Sequence, residues 1–246
     1  MEAPELSLYQ KKIFTGPDGK TWPYRILYPK GYAKGQSYPL VLFLHGVGER
    51  GDDNEKPLKH GARLFLQEKL RNDFPCLVVF PQCPETGFWG SVNVDFSKTP
   101  VSLNFDYSHG PSPSLKAVMG MVAHTVKEEN CDASRVYIMG ISMGGMGTFE
   151  AVYQYPNTFA AAIPICGGGD ALRYDERILP TAFWVFHGDQ DEAVDVKYSR
   201  VMAEKLKALK AVAHYTEYPG VDHHSWDNAF AEPELLPWLF SHRLGK

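Results

Sequence analysis

The chain has 246 residues, 44% hydrophobic and 13% aromatic, enough for a buried core, and at this length an α/β protein is commonly a single domain. Its formal net charge is −4, with lysine and arginine scattered rather than massed, so it lacks the positive footprint that nucleic acid or anionic lipid requires. No apolar run nears the ~20 residues that span a bilayer.

The opening MEAPELSLYQ has neither the basic nor the apolar region of a signal peptide, and a chain that had lost a leader would begin alike. A cytoplasmic location is expected if no leader was removed, a secreted or periplasmic one otherwise. Further on, KKIFT and TWPYRILY flank TGPDGK, whose Gly, Pro and Asp favour a turn, so an antiparallel hairpin is expected. PLVLFLHG, PCLVVFPQ, RVYIMGIS and AAAIPICGG follow as continuous apolar runs, the pattern of strands buried on both faces of a mostly parallel sheet. AFWVFHGD and HYTEYPG add two strands, eight in all.

Helical patterns fill the gaps. PLKHGARLFLQEKL follows the third strand, and SPSLKAVMGMVAHTVKEEN carries a serine cap. MGGMGTFEAVYQYP, VDVKYSRVMAEKLKALKA and DNAFAEPELLPWLFSH supply the rest. Alternation of this kind argues for an α/β sheet covered on both faces, one domain over residues 1–246. The segment from Glu85 to Gly110 has no clear period. Its aromatics Phe88, Trp89, Phe96, Phe105 and Tyr107 favour order, folded over one edge of the sheet.

Four cysteines, Cys76, Cys83, Cys131 and Cys166, lack metal-ligand spacing and are expected as free thiols packed as small apolar groups. Cys76 and Cys83 flank LVVFP, whose extended length sets them roughly 20 Å apart, too far to bridge. A disulfide among other pairs stays open.

In YIMGISMGGMGTF, Ser142 stands two residues from Gly140 and two from Gly144, between an apolar run and a helical pattern. A hydroxyl is a poor nucleophile near neutral pH; it needs a base and must stand clear of the sheet. A sharp strand-to-helix turn lifts it, and glycines lacking β-carbons relieve the crowding. The helix start then aims its amides at developing negative charge. Downstream acids and bases should follow in the order Ser, Asp/Glu, His. Asp189 and Asp191 end a strand in WVFHGDQDEAV, and His223 and His224 lie just past the last strand in YPGVDHHSWDNAF. One oxyanion donor should be the Met143 N–H, the other an amide of HGVGERG after the third strand.

These segments, YPLVLFLHGVGERG, VVFPQCPE with Trp89, MGISMGGMGTFEAVYQYP, FHGDQDEAV and GVDHHSW, resemble the α/β-hydrolase superfamily in the expected order. The closer likeness is to compact carboxylesterases, feruloyl-esterase-like and polyhydroxybutyrate-depolymerase-like, and to prolyl-oligopeptidase-like catalytic domains. It runs from about Tyr38 to Phe240. It implies an α/β-hydrolase fold, in which HG-x-x-D-x-x-V selects Asp191 while G-x-x-H-x-x-W selects His223; the short ALRYDERILP after the sixth strand leaves no large lid. HG-x-G selects the Val47 amide as second oxyanion donor, although HGVG departs from the HGGG of many lipases. Asp195 stands where proline often follows the valine.

Trp89 and Trp226 are candidates for lining the substrate pocket, with core packing the default reading for a single Trp; Gln82 and Glu49 face the same edge with no role assigned. DQDEAVD lacks the EF-hand glycine, so no metal is expected, and the chemistry needs no organic cofactor. The expected activity is hydrolysis of short-chain or aryl esters, feruloyl-type and plant-cell-wall-derived ones among them. The alternatives are a peptidase of prolyl-oligopeptidase-like type and a non-catalytic binding protein on the same scaffold. The missing room for a gating propeller argues against the first, the full set of catalytic residues against the second. Oligomeric state is not legible.

Overall fold

In the computed structural model, which describes residues 4–245, regular structure opens with the hairpin of β1 (Gln10–Thr15) and β2 (Thr21–Leu27). Its turn closes through Gly16 N–H to Lys20 O and Gly19 N–H to Gly16 O. Residues 1–3 and 246, which the single-domain reading takes in, lie outside the described residues. Next come β3 (Leu40–Leu44), a series of short turns, α1 (Glu68–Asp73) and β4 (Leu77–Pro81). A small hairpin, β5 (Val92–Asp95) with β6 (Ser102–Phe105), forms a separate sheet. The remainder alternates: α2 (Pro113–Glu128), β7 (Val136–Ile141), α3 (Met143–Gln154), β8 (Ala161–Ile165), β9 (Ala182–Gly188), α4 (Lys197–Ala208) and β10 (Ala213–Tyr218). Helices α5 (Ser225–Ala231) and α6 (Leu235–Ser241) close the chain.

The main sheet has eight strands in the order β1-β2-β4-β3-β7-β8-β9-β10, antiparallel only where β2 meets β1 and β4. Every residue of β3, β4, β7 and β8 is buried, as continuous apolar runs covered on both faces require. Side chains alternate between the faces. Leu40, Leu42, Leu44 and Ile138 join one core with α2, α3 and α4. Val41, Phe43, Tyr137 and Met139 join the other with α5, α6 and the turns between β3 and α1. From β3 the chain pairs β4 on one side and β7 on the other. The connections leaving β3 and β7 therefore run in opposite directions along the sheet, a switch point at whose carboxyl edge open α/β sheets hold their ligands.

The expected helix over PLKHGARLFLQEKL is broken into 3₁₀ turns at Lys56–Leu58 and Ala62–Leu66 before α1. Gly61 between them sits at φ +77°, and a β-carbon there would stand 2.5 Å from Phe43 Cζ. DNAFAEPELLPWLFSH likewise forms two helices, because the residue before Pro233 is driven out of helical geometry; Glu232 has ψ 118°. The Glu85–Gly110 segment is ordered, yet Phe96 at the hairpin tip is exposed rather than buried.

Candidate active site

Ser142 sits between β7 and α3 with φ 54° and ψ −117°, a backbone strain that a non-glycine residue tolerates only where the surroundings enforce it. Its N–H donates to Ile165 O at 2.9 Å, and its carbonyl accepts from Met146 N–H at 3.0 Å, opening the helix. A β-carbon at Gly140 would stand 2.2 Å from Gly144 O; one at Gly144 would stand 2.0 Å from Leu44 O. The first glycine thus lets the turn close. The second lets the start of α3 approach the end of β3.

His223, on the loop after β10, turns its Nε2 to within 3.0 Å of Ser142 Oγ, and its Nδ1 lies 2.7 Å from Asp191 Oδ2. Asp191 follows β9 and is buried, its Oδ1 accepting from Ala193 N–H at 2.9 Å and Val194 N–H at 2.8 Å. Burial alone would raise its pKa; the hydrogen bonds from His187, His223 and Val194 outweigh it and hold the carboxyl well below the usual range. With the carboxylate accepting at Nδ1, the free lone pair of His223 is at Nε2, facing the hydroxyl. Asp189 and His224 stand aside: Asp189 accepts from Gly220 N–H at 2.7 Å, and the exposed His224 bonds Asp222.

Val47 and Met143 each begin a helical turn, so their N–H groups have no partner within it. The turn bearing Val47 is braced from several sides. His45 Nδ1 lies 2.6 Å from Gly46 O and its Nε2 accepts from Cys83 N–H at 3.0 Å. Burial pushes this histidine down to about 4, so it is neutral, with its proton on Nδ1. Arg50 ties Val47 O to Gly87 O. Gln82 donates to Glu49 O and Asp53 and accepts from Asn54 N–H, holding the rest of the loop. The buried Glu49 carboxylate faces Lys59 at 3.5 Å and His60 at 3.7 Å.

Trp89 is fully buried, its indole N–H donating to His45 O at 3.0 Å, so it braces the turn and offers no surface to a substrate. Trp226 is nearly as buried and packs edge-on against His223 at 5.4 Å, behind the imidazole. The small hairpin lies against the loop bearing Asp191: Val101 N–H donates to Ala193 O, Leu103 N–H donates to Tyr198 OH at 2.7 Å, and Ser91 is held by Glu150. Leu103, Met146 and Val194 pack there with Phe88 and Phe105. Cys166, Asp191 and His223 bring ligand atoms within 4.8 Å of one another, with the carboxylate and imidazole bonded to each other and burial pushing the thiol up. All four cysteines are free and buried.

Sequence reasoning missed His187, Glu150 and Arg50. Only His187 had a visible signal, as the histidine of HG-x-x-D itself.

A mostly parallel sheet that reverses at β3, a strained serine after β7, and an aspartate and a histidine after the last strands define an α/β-hydrolase. Residues 32–233 match the Phospholipase/Carboxylesterase family, and the chain belongs to it. A solved thermostable esterase is 37% identical, with a TM-score of 0.86 over 97% of this chain and 64% of that one. Feruloyl esterase B of Neurospora crassa is 31% identical over 129 residues, 52% of this chain and 38% of its own. Lysophospholipase-like protein 1 of Mus musculus is 24% identical over 86% of this chain and 90% of its own. The chain thus spans well under half the length of the feruloyl esterase.

Proposed function

We propose that this chain hydrolyses carboxylic esters through an acyl-enzyme on Ser142. The observation that carries the reading is the continuous hydrogen-bond chain from Ser142 Oγ through His223 to Asp191, at 3.0 and 2.7 Å. His223 Nε2 takes the hydroxyl proton as Oγ attacks the ester carbonyl, and Asp191 steadies the imidazolium without accepting its proton. The oxyanion rests on the Val47 and Met143 amides, each such donor being worth about 2.7–4 kcal/mol of barrier. The alcohol leaves with the proton from Nε2, and water repeats the sequence on the acyl-enzyme.

The substrate is a small ester with a short or aryl acyl group, feruloyl-type esters of plant cell walls included. The half-buried Phe88 and Phe105 beside the acid's loop suit a flat acyl group, and the feruloyl esterase relative has the same bias in its name. p-Nitrophenyl esters of graded length, methyl ferulate and a peptide anilide test this. Esters should turn over far faster, and comparable turnover of the anilide would favour a peptidase. A fluorophosphonate should label Ser142. His223→Ala should cost several orders of magnitude in kcat and His224→Ala less than about twofold; the reverse pattern would sink the assignment.

A further inference from the structure

The mechanism leaves one fully buried histidine unused. His187 is the penultimate residue of β9, and its Nε2 lies 3.1 Å from Asp191 Oδ2 and 2.9 Å from Val194 O. Both neighbours are acceptors, so Nε2 carries a proton and shares it between them. Nδ1 lies 2.7 Å from Ser199 Oγ on α4, and that hydroxyl, whose proton Nδ1 can accept, also lies 3.0 Å from Gly167 O. A polar chain therefore runs from the acid through β9 and α4 to the loop after β8, all of it inside the protein.

We propose that His187 is a positioning residue for the acid: it locks the Asp191 carboxylate and limits how strongly that carboxylate holds His223. The inference rests on the triad reading above. An ionised carboxylate has about four acceptor positions, and here all are met. Oδ1 takes Ala193 and Val194 N–H, and Oδ2 takes His223 at 2.7 Å together with His187. The two backbone donors fix one oxygen. His187 fixes the other, so the carboxylate cannot turn away when the imidazole moves during proton transfer. Because His187 and His223 share Oδ2, the electron density available to His223 is less than a sole partner would receive. Removing His187 should therefore loosen the acid and, at the same time, strengthen its pull on protonated His223.

Other ionisable groups face this pair. Cys166 comes from the loop after β8, Glu217 from β10, and Asp222 from the loop bearing His223. Burial keeps the Cys166 thiol neutral, Arg200 pairs Glu217, and Asp222 is occupied with His224. All three stay constant when only residue 187 is changed.

The test compares His187→Phe, which keeps a ring of similar size and removes the hydrogen bonds to Asp191, Val194 O and Ser199, with His187→Gln, whose amide can again donate to Asp191. Folding is checked by circular dichroism, and p-nitrophenyl acetate kinetics are followed from about pH 5 to 9. His187→Phe should lower kcat roughly 10- to 100-fold, the scale on which lost orienting partners act, with KM within about twofold. The acid limb of its kcat/KM profile, which reports the base in the free enzyme, should move up by about half a unit or more. His187→Gln should recover most of both. A folded His187→Phe with unchanged kcat and acid limb, or a Gln variant as impaired as Phe, overturns the proposal. If His187→Phe does not fold, Ser199→Ala cuts the far end of the chain; a smaller shift of the same sign supports the proposal and none overturns it. Asp191→Asn runs alongside: if it stays fully active, the triad reading itself fails, whereas its inactivity with a silent His187 discards only the present inference.

Discussion

Two buried carboxyl groups near the site respond to burial in opposite ways. Asp191 is held ionised by donors that outweigh desolvation. Glu150, on α3, is fully buried but accepts mainly from the Ser91 N–H and hydroxyl; burial wins and pushes it up to about 7. The unfolded chain, with its ordinary value of 4.5, ionises first, so the folded state binds more protons between the two values. Stability tied to Glu150 is therefore full below about 4.5 and lost as pH rises through 7. Glu150→Gln cannot ionise. Across that window the wild type should lose about 3 kcal/mol relative to the variant, read from urea unfolding of both proteins at several pH values. A difference independent of pH would mean that the carboxyl does not titrate as a buried acid. None of this is visible along the chain, where Glu150 is one more polar residue in a helical pattern.

The elements divide by how local their causes are. Buried parallel strands announce themselves because both faces demand apolar side chains, and PLVLFLHG or RVYIMGIS could hardly be anything else. The elbow is legible because strain needs glycine at fixed spacing. What escapes is decided by distant contacts. Gly61 breaks a helical pattern partly because Phe43, from another element, fills the space a side chain would need. The two strands of the small hairpin have only four residues each and pair only with each other, too short for a period to stand out. Position narrows the candidate acid and base to two neighbouring pairs, Asp189 with Asp191 and His223 with His224, and a family pattern chooses within each. The elbow offers a sharp test at this scale. Gly144→Ala would set a methyl group against the Leu44 carbonyl, a backbone atom that cannot rotate away. It should destabilise the fold by at least about 2 kcal/mol and reduce ester turnover of the folded fraction, measured by thermal unfolding and kinetics. Wild-type behaviour in both would show that β3 and α3 are not locked together as the geometry implies.

Across the whole molecule, titrating groups from well-separated chain segments act together, and their ionisation jointly sets stability. Asp132 is partly desolvated but bonded by Ser134 and Arg135, and held down to about 2; it also ties Arg243 in the C-terminal tail. Glu217 is held down to about 2, chiefly by Arg200, which joins α4 to β10. Both contribute stability above their ordinary values of 3.8 and 4.5 that is lost as pH falls toward 2. His45 behaves differently from Glu150. With its value lowered from 6.5 to about 4, it favours folding fully above 6.5 and loses that contribution as pH falls through 4. Burial shifts His60 and His242 the same way. Between about 4.5 and 6.5, then, rising pH gains stability through His45 while losing a similar amount through Glu150. With His60 and His242 adding to the His45 side, the wild type should rise only gently there and fall steeply below about pH 4. In Glu150→Gln the cancellation is gone, so its stability should climb by about 3 kcal/mol between pH 4 and 6.5. Urea midpoints collected across that range for both proteins decide the matter, and parallel curves would mean that the two buried groups do not oppose each other as their surroundings require.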